Sequence, residues 1–293
     1  FRGPIVALPA GLSSWQARAV MSAQTDERTL LEAARNGDEA ALTELINRYS
    51  PNVYRFGMKM CRHEQDAEEV MQDTLLAAAK NLGDFRGQSS LSTWLYTIAR
   101  SYCIKRRRKR VDEPSSLEPL HQLRAEGVPQ LIDLRGPEEA AASREIEAAL
   151  EHAIDELDPI YREVLILRDL EGLTAPEVGK ILELSVEAVK SRLHRARAQV
   201  RERIAPLFSA EAELPPLASC PDVVELLSRH MEDDVSPELC HEMEQHVAAC
   251  PRCAARCDSL RRALALCQAS PAPEVPDEIK QLVARQMRAA LGQ

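Results

Sequence analysis

Six of the eight cysteines lie between residues 220 and 267, in the last quarter of a 293-residue chain. Thiolate and imidazole groups are the ligands that soft and borderline metal ions prefer. This density therefore indicates a small domain built around a metal ion or a thiol switch. The cysteines and the histidines among them are Cys220, His230, Cys240, His241, His246, Cys250, Cys253, Cys257 and Cys267.

The rest of the composition favours helices. Ala, Leu, Glu and Arg dominate, and aromatic residues make up only 4% of the chain. We expect an all-α chain of two or three small domains. The formal net charge is −9, but cations concentrate at 105–110 and 190–203, where local positive fields would suit a polyanionic partner. No apolar run is long enough to span a membrane, so we expect no membrane contact and a cytoplasmic protein.

The first 26 residues are expected to be a disordered or non-native extension. Residues 1–20 precede Met21, which we interpret as the natural start. A signal peptide is the alternative, because Arg2 precedes a short apolar run at 4–12.

Helical spacing of apolar residues marks a first domain at 27–110, with helices over 38–49, 66–82 and 92–110. The second of these helices has an acidic edge that should face outward, formed by Asp66, Glu69 and Asp73. Its inward stripe is Ala67, Val70, Met71, Thr74 and Ala78. Residues 111–143 carry four prolines and no sustained period, so they are expected to form a linker.

A helix-turn-helix pattern marks a second domain at 144–206. Thr174 to Glu177 form a capping-box start, a short helix runs to Leu182, and Ser185 caps the next helix. That last helix carries a basic face, which suits a recognition helix in the major groove. The residues of this face are Lys190, Ser191, Arg192, His194, Arg195 and Arg197. A solvated basic helix on a structural bundle is the alternative. The Cys/His domain then occupies 214–293, with a terminal amphipathic helix at 277–291.

Six consecutive cations at 105–110 would attract phosphates without reading sequence. Trp94, Tyr96 and Tyr102 lie just upstream, and aromatic rings beside cations suit unstacked bases on a single strand. Trp94 is equally compatible with a core position, and a basic run alone is compatible with a solubilising segment.

The stretch 66–110, followed by the helix-turn-helix at 174–203, resembles the group IV, extracytoplasmic-function sigma factors of bacterial RNA polymerase. The resemblance implies core RNA polymerase (β and β′ subunits) and promoter DNA as partners, with the helix 66–82 docking on the β′ subunit. It also implies that the loop 85–90 and the following helix hold the melted −10 element, and that the last helix of the second domain reads the −35 element. The polymerase-contact candidates are Asp66, Glu69, Gln72 and Asp73. The DNA-contact candidates are Phe85, Arg86, Gln88, Ser89, Ser90, Trp94, Arg100, Lys105, Arg106, Arg107, Lys190, Ser191, Arg192, His194 and Arg195.

The Cys/His domain is similar to the zinc-binding motif of anti-sigma factors, and its cysteine spacing resembles that of CorE-type, metal-responsive sigma factors. The resemblance implies regulation in cis by copper, cadmium or zinc, without a separate anti-sigma factor. From spacing, His246, Cys250, Cys253 and Cys257 would share one helical face. The full set of candidate ligands is Cys220, His230, Cys240, His246, Cys250, Cys253, Cys257 and Cys267. Cys61 and Cys103 are expected to be buried small hydrophobes.

No motif for catalysis is present, so we expect a protein that is not an enzyme. Without its metal, the Cys/His domain would either pack against the other domains or leave them unable to engage polymerase, and metal binding would favour the active form. Two alternatives remain open at this stage. One is a metal-responsive helix-turn-helix regulator that binds DNA without polymerase. The other is a sigma factor whose Cys/His domain is a thiol-redox or purely structural zinc module.

Overall fold

A computed structural model describes residues 27–111, 137–208, 217 and 219–290. These residues form helices and turns and no strand, as the all-α prediction requires. None of the helices in these ranges has the length and apolar character needed to cross a bilayer. The expectations for residues 1–26 and for most of the 111–143 linker fall on residues outside the described part of the chain.

The N-terminal bundle contains α1 (27–35), α2 (Glu39–Cys61), α3 (Glu64–Lys80), a 3₁₀ turn (Leu82–Asp84) and α4 (Leu91–Val111). Asp38 caps α2 by accepting hydrogen bonds from the backbone N–H groups of Ala40 and Ala41. Helix α2 is longer than its predicted 38–49 span and passes through Pro51. It continues because its buried face continues, with Val53, Phe56 and Met60 all inside.

Helices α2 and α3 approach each other closely at Gly57. A Cβ built on Gly57 would lie 3.1 Å from the Cα of Ala67, so only glycine fits without a shift. The predicted inward stripe of α3 is buried in full. The prediction that Asp66 faces outward is wrong, since this residue is only 7% exposed. It lies in the first turn of α3 next to Ala67, where the close helix contact covers it.

The helix-turn-helix domain contains α5 (Pro137–Asp155), α6 (Pro159–Leu165), a π-helical turn (Ile166–Leu170), α7 (Ala175–Leu182) and α8 (Val186–Ile204). The capping box is present: Thr174 accepts from the N–H of Glu177, whose carboxylate accepts from the N–H of Thr174. Ser185 caps α8 through the N–H of Ala188. Helix α5 begins inside the predicted linker.

The Cys/His domain contains α9 (Val223–His230), α10 (Pro237–Ala249), α11 (Pro251–Ala269) and α12 (Asp277–Ala290). Helices α9 and α11 pack against α8 of the helix-turn-helix domain. An extended segment at 270–276 then carries the chain to α12, which packs on α2 and α3 of the N-terminal bundle. Val283 and Met287 of α12 are buried there. One domain therefore contacts both of the others.

The three parts meet at the side chain of Arg55, on α2. Its guanidinium donates to both carboxylate oxygens of Glu171, at 2.7 and 2.8 Å, and to the carbonyl of Leu170 at 3.2 Å. It also donates to the carbonyl of Ser270, at 2.9 Å, just after α11. Tyr96 of α4 donates to the same carboxylate at 2.6 Å. A continuous cluster of buried apolar side chains runs through all three parts around this point.

Gly179 provides a test of the helix-turn-helix packing. A Cβ at this position would lie 2.8 Å from the carbonyl oxygen of Leu184, in the turn between α7 and α8. We expect Gly179→Ala to destabilise the chain by about 1–3 kcal/mol, because the contacted atom belongs to the backbone. Thermal unfolding measures the change. Gly83→Ala is the matched control, since nothing lies within 4 Å of a Cβ there. Equal unfolding midpoints for the two variants would contradict this packing.

Candidate metal centre and nucleic-acid interfaces

Four of the predicted ligands come together in one cluster, which we call the quartet: Cys220, His246, Cys250 and Cys253. One donor atom from each lies within 4.8 Å of the others. The Sγ atoms of Cys220 and Cys250 are 3.9 Å apart, and Nε2 of His246 is 3.2 Å from Sγ of Cys253. Ligand atoms of a tetrahedral zinc site with Zn–S bonds of ~2.3 Å are about 3.8 Å apart. The donor set and its spacing therefore fit zinc.

The quartet lies at a break between two helices. Helix α10 ends at Ala249, Cys250 has an extended backbone (φ −117°, ψ 104°), and Pro251 begins α11. The prediction of one continuous helical face for residues 246–257 is therefore wrong. Proline has no N–H to donate and disfavours helical geometry at the preceding residue, so the helix stops there. The break turns His246 and Cys253 toward each other.

The thiols of the quartet differ in acidity. Hydrogen bonding from the backbone N–H of Cys253, at the start of α11, lowers the pKa of Cys250. Burial, together with hydrogen bonds among the neighbouring thiols, raises the pKa of Cys253 to about 12. Cys250 thus ionises more readily than Cys253, and Cys253 needs a cation nearby to become a thiolate.

The other predicted ligands are placed elsewhere. Nδ1 of His230 lies 3.1 Å from Sγ of Cys240 on the surface, outside the quartet. Cys257 and Cys267 are buried among apolar side chains, and burial raises their pKa values to about 11 and about 12. Their roles as ligands stay predictions. Cys61 and Cys103 are buried, as expected, with their Sγ atoms 3.4 Å apart.

The predicted DNA contacts on α4 face a carboxylate of the helix-turn-helix domain. Glu163, on α6, accepts hydrogen bonds from Arg100 at 3.1 Å and from Arg107 at 3.2 Å, and its side chain is only 8% exposed. Lys105 lies 4.9 Å from the centre of the Tyr102 ring. The cationic face of α4 is thus partly used inside the molecule.

The loop before α4 is built from backbone contacts. Arg35 donates to the carbonyls of Leu82 and Phe85, which fixes the start of the loop. Phe85 packs against Trp94 with ring centres 5.0 Å apart. Arg86 and Gln88 are exposed, Ser89 is half-buried, and Gly87 has φ of 69°, as a turn in this conformation requires.

Ser90, the last residue of the loop, also contacts the helix-turn-helix domain. Its hydroxyl accepts from the N–H of Thr93 and so caps α4. The same hydroxyl donates to the carboxylate of Glu177 at 3.1 Å, and Thr93 does so at 3.3 Å.

The predicted polymerase-contact edge of α3 is partly occupied by α4. Arg106 forms ion pairs with Glu69 and with Asp73, the second at 3.7 Å. Gln72 is half-buried beside them. A residue predicted to bind DNA therefore neutralises residues predicted to bind polymerase.

The recognition helix α8 keeps part of its basic face. Ser191 and Arg195 are exposed, Arg192 and His194 are half-buried, and Lys190 pairs with Asp234 of the Cys/His domain at 3.4 Å. Arg197 looked like part of the same face but is 1% exposed. Its guanidinium instead pairs with Asp169 at 2.6 Å and with Glu232 at 2.9 Å.

The acidic partners in these contacts were not identified from the sequence. They are Glu163, Glu171, Glu177, Glu232 and Asp234. The capping box marks Glu177 only as a helix-start residue, and no motif or period marks the other four. Only the arrangement of the domains reveals them.

Comparison with known proteins gives three matching family models. "Sigma-70 region 2" matches residues 45–112, "Sigma-70, region 4" matches 147–200, and "Putative zinc-finger" matches 220–254. These ranges overlap the three predicted domains, and the third contains the whole quartet.

Curated relatives match over nearly their full length. The RNA polymerase sigma-H factor of Pseudomonas aeruginosa is 31% identical, with 64% of this chain and 98% of the relative covered. The ECF RNA polymerase sigma-E factor of Escherichia coli K12 is 30% identical, covering 64% and 99%. SigW of Bacillus subtilis is 29% identical, covering 59% and 94%.

Two solved structures are similar. CnrH in complex with the cytosolic domain of CnrY is 25% identical, with a TM-score of 0.43 and coverage of 59% of this chain and 94% of that one. The sigma factor RpoE with the anti-sigma factor NepR from Bartonella quintana is 23% identical, with a TM-score of 0.42 and coverage of 55% and 94%. In both structures the matched chain is in complex with a second protein. At these TM-scores the likeness carries no argument about the partners of this chain.

The quartet predicts the zinc content of the purified chain. The purified chain is expected to hold about one zinc ion, and Cys253→Ser is expected to lose it, because three donors remain where structural zinc takes four. Cys240→Ser is the matched control, since Cys240 is also a Cys/His-domain cysteine beside a histidine but lies outside the quartet. Elemental analysis after dialysis measures the zinc content. Equal zinc content in the two variants would rule out the quartet as the site.

Proposed function

The chain belongs to the extracytoplasmic-function sigma factors of the sigma-70 family, and on this basis we propose that its Cys/His domain controls promoter recognition in cis. Sigma factors bind core RNA polymerase and promoter DNA and thereby direct transcription initiation. The further step concerns how this activity is regulated. The main support for control in cis is that the C-terminal Cys/His domain packs on both sigma domains at once.

The two predicted DNA-binding surfaces form ion pairs inside the chain. The cations of α4 that would hold the −10 strand pair with Glu163, whose carboxylate occupies the place of a phosphate. Lys190 on the recognition helix pairs with Asp234 of the Cys/His domain. Two separate DNA faces are thus partly covered by carboxylates of the same chain. DNA binding requires these contacts to separate.

The predicted polymerase-docking helix is also in contact with the Cys/His domain. Helix α12 packs on α3, the helix that the family resemblance assigns to polymerase docking. Its apolar side chains Val283 and Met287 are inserted against the bundle, and Arg288 pairs with Glu39 of α2 at 3.3 Å. A helix in this position competes with a partner that needs the same surface. We therefore propose that the described conformation is closed with respect to both polymerase and promoter.

A metal ion in the quartet would stabilise the Cys/His domain. An ion bound by the quartet would join the segment before α9 to both α10 and α11, which is the cross-link that a small domain with little core needs to stay folded. The quartet residues lie within 4.8 Å of one another in the closed conformation. A bound ion therefore favours this conformation, and loss or replacement of the ion favours release. This direction is opposite to the activation by metal binding that we expected from the sequence.

The donor set limits which metals are relevant. Three thiolates and one imidazole suit zinc, cadmium or copper and exclude magnesium and calcium. We propose zinc as the resident ion, because the spacing of the donors fits a tetrahedron. A softer ion such as cadmium or Cu(I) would act by replacing it. In this account no separate anti-sigma factor is required.

A thiol switch is the second candidate function, favoured by one observation. The Sγ atoms of Cys220 and Cys250 are 3.9 Å apart, and the pKa of Cys250 is lowered by the N–H of Cys253. Oxidation of this pair would also disrupt the quartet. Activity that responds to a thiol oxidant but not to a chelator under reducing conditions would favour this candidate.

Release of α12 is the first test of the closed conformation. Met287→Asp places a charge at a position that is 5% exposed, so α12 is expected to leave the bundle. Run-off transcription with core polymerase should then rise at least about fivefold. Arg285→Asp is the matched control, because Arg285 is an exposed residue on the same helix. Unchanged transcription with Met287→Asp would contradict the closed conformation.

Metal removal is the second test. Chelated, reduced protein is expected to support more run-off transcription than zinc-loaded protein, because the Cys/His domain loses its cross-link. The Cys253→Ser variant should resemble the chelated protein under both conditions. Equal transcription by chelated and zinc-loaded wild type would reject metal control while leaving the closed conformation in place.

A further inference from the structure

A second cluster of metal-ligand side chains lies between the recognition helix and the Cys/His domain. It consists of His194 on α8, Asp222 at the N-cap of α9 and Glu225 in the first turn of α9. One ring nitrogen and one oxygen from each carboxylate lie within 4.8 Å of one another. These residues come from two different domains, and only the closed arrangement brings them together.

A cavity beside the cluster is large enough for an ion and its water. A cavity of about 80 Å³ opens between α8 and α9, with His194 and Asp222 in its wall. It exceeds the ~10–15 Å³ that one water molecule needs. Its other lining side chains are Ala198, Arg201, Glu202, Val224 and Arg256.

The surroundings of the His194 ring also favour a bound cation. Its Nδ1 atom is shielded from solvent and has no hydrogen-bond partner in the described part of the chain. A buried ring nitrogen without a partner is unfavourable, and coordination of a cation would satisfy it. Asp222 already accepts from the N–H of Glu225 at 3.0 Å, a contact that fixes its carboxylate at the start of α9.

The charge around the cavity is compatible with a divalent cation. Arg201 and Arg256 line the cavity together with Glu202 and Asp222, and Glu225 lies beside Asp222 in the cluster. The carboxylates of Glu202, Asp222 and Glu225 outnumber the two guanidinium groups, so the charged side chains nearby favour a cation over an anion. An oxygen-rich set with one nitrogen suits Zn²⁺, Ni²⁺, Co²⁺ or Mn²⁺ and is a poor site for Cu(I) or Cd²⁺, which prefer sulfur.

We infer that His194, Asp222 and Glu225 form a second divalent-cation site, distinct from the quartet, that joins the recognition helix to the Cys/His domain. An ion there holds His194, a predicted contact to the −35 element, against α9. The two metal sites share one short segment, because Cys220 of the quartet is two residues before Asp222. The second site therefore senses whether the domains are closed, and the quartet senses soft metals.

Calorimetric titration of the full chain with Ni²⁺ tests this inference. The protein is first loaded with a single equivalent of zinc, which the three thiolates of the quartet take up, and elemental analysis verifies that it is retained. We expect one further equivalent of Ni²⁺ to bind, and His194→Gln and Asp222→Asn each to weaken this binding at least about tenfold. Glu202→Gln is the matched control, because Glu202 lines the cavity but is not among the three ligands, and it should bind within about twofold of wild type.

Two results would overturn the inference: no further equivalent of Ni²⁺, or a further equivalent that His194→Gln and Asp222→Asn bind as tightly as wild type. The second result would assign the nickel to other surface groups, such as His230 and Cys240. The titration measures binding alone. Its failure is therefore distinct from a failure of the proposed metal control of transcription.

Discussion

The closed arrangement depends on one buried cation, the guanidinium of Arg55. A buried charge is stable only when it is paired and fully hydrogen-bonded, and here its partners come from the two other parts of the chain. Burial would lower the pKa of Arg55, but the carboxylate of Glu171 outweighs it and raises the pKa, so the cation persists. Separation of the domains would leave Arg55 without Glu171 and without the carbonyl of Ser270. The contact is therefore specific to the closed form.

The surfaces that the family resemblance assigns to DNA and polymerase make contacts inside this chain. Arg100 and Arg107 on α4, which are predicted DNA contacts, pair with the carboxylate of Glu163, and α12 covers part of the bundle surface around α3. A partner must therefore compete with contacts inside the same molecule, whose effective concentration is high. Exposed ion pairs such as that of Lys190 and Asp234 contribute little by themselves. The buried network around Arg55 and the apolar contacts of α12 contribute more to closure.

Local signals explain which features the sequence predicted. The helix-turn-helix follows from the capping box at Thr174 and the cap at Ser185, and the stripe of α3 follows from helical spacing. The donor types of the quartet were also readable, but Pro251 interrupts the helix and selects which donors meet. Arg197 appeared to belong to the DNA face, yet Asp169 and Glu232 pair with it inside the protein. Contacts between domains have no local period, so neither these pairs nor the role of Arg55 could be read from the sequence.

Small-angle X-ray scattering of the isolated, zinc-loaded chain tests whether the Arg55 contact holds the domains together. We expect Arg55→Glu to have a larger radius of gyration than wild type, because a second carboxylate would face Glu171 and the domains would separate. Arg285→Glu, which reverses an exposed charge, should leave the radius unchanged. An Arg55→Glu chain that stays as compact as wild type, with its helix content intact, would contradict the claim that this contact holds the protein closed.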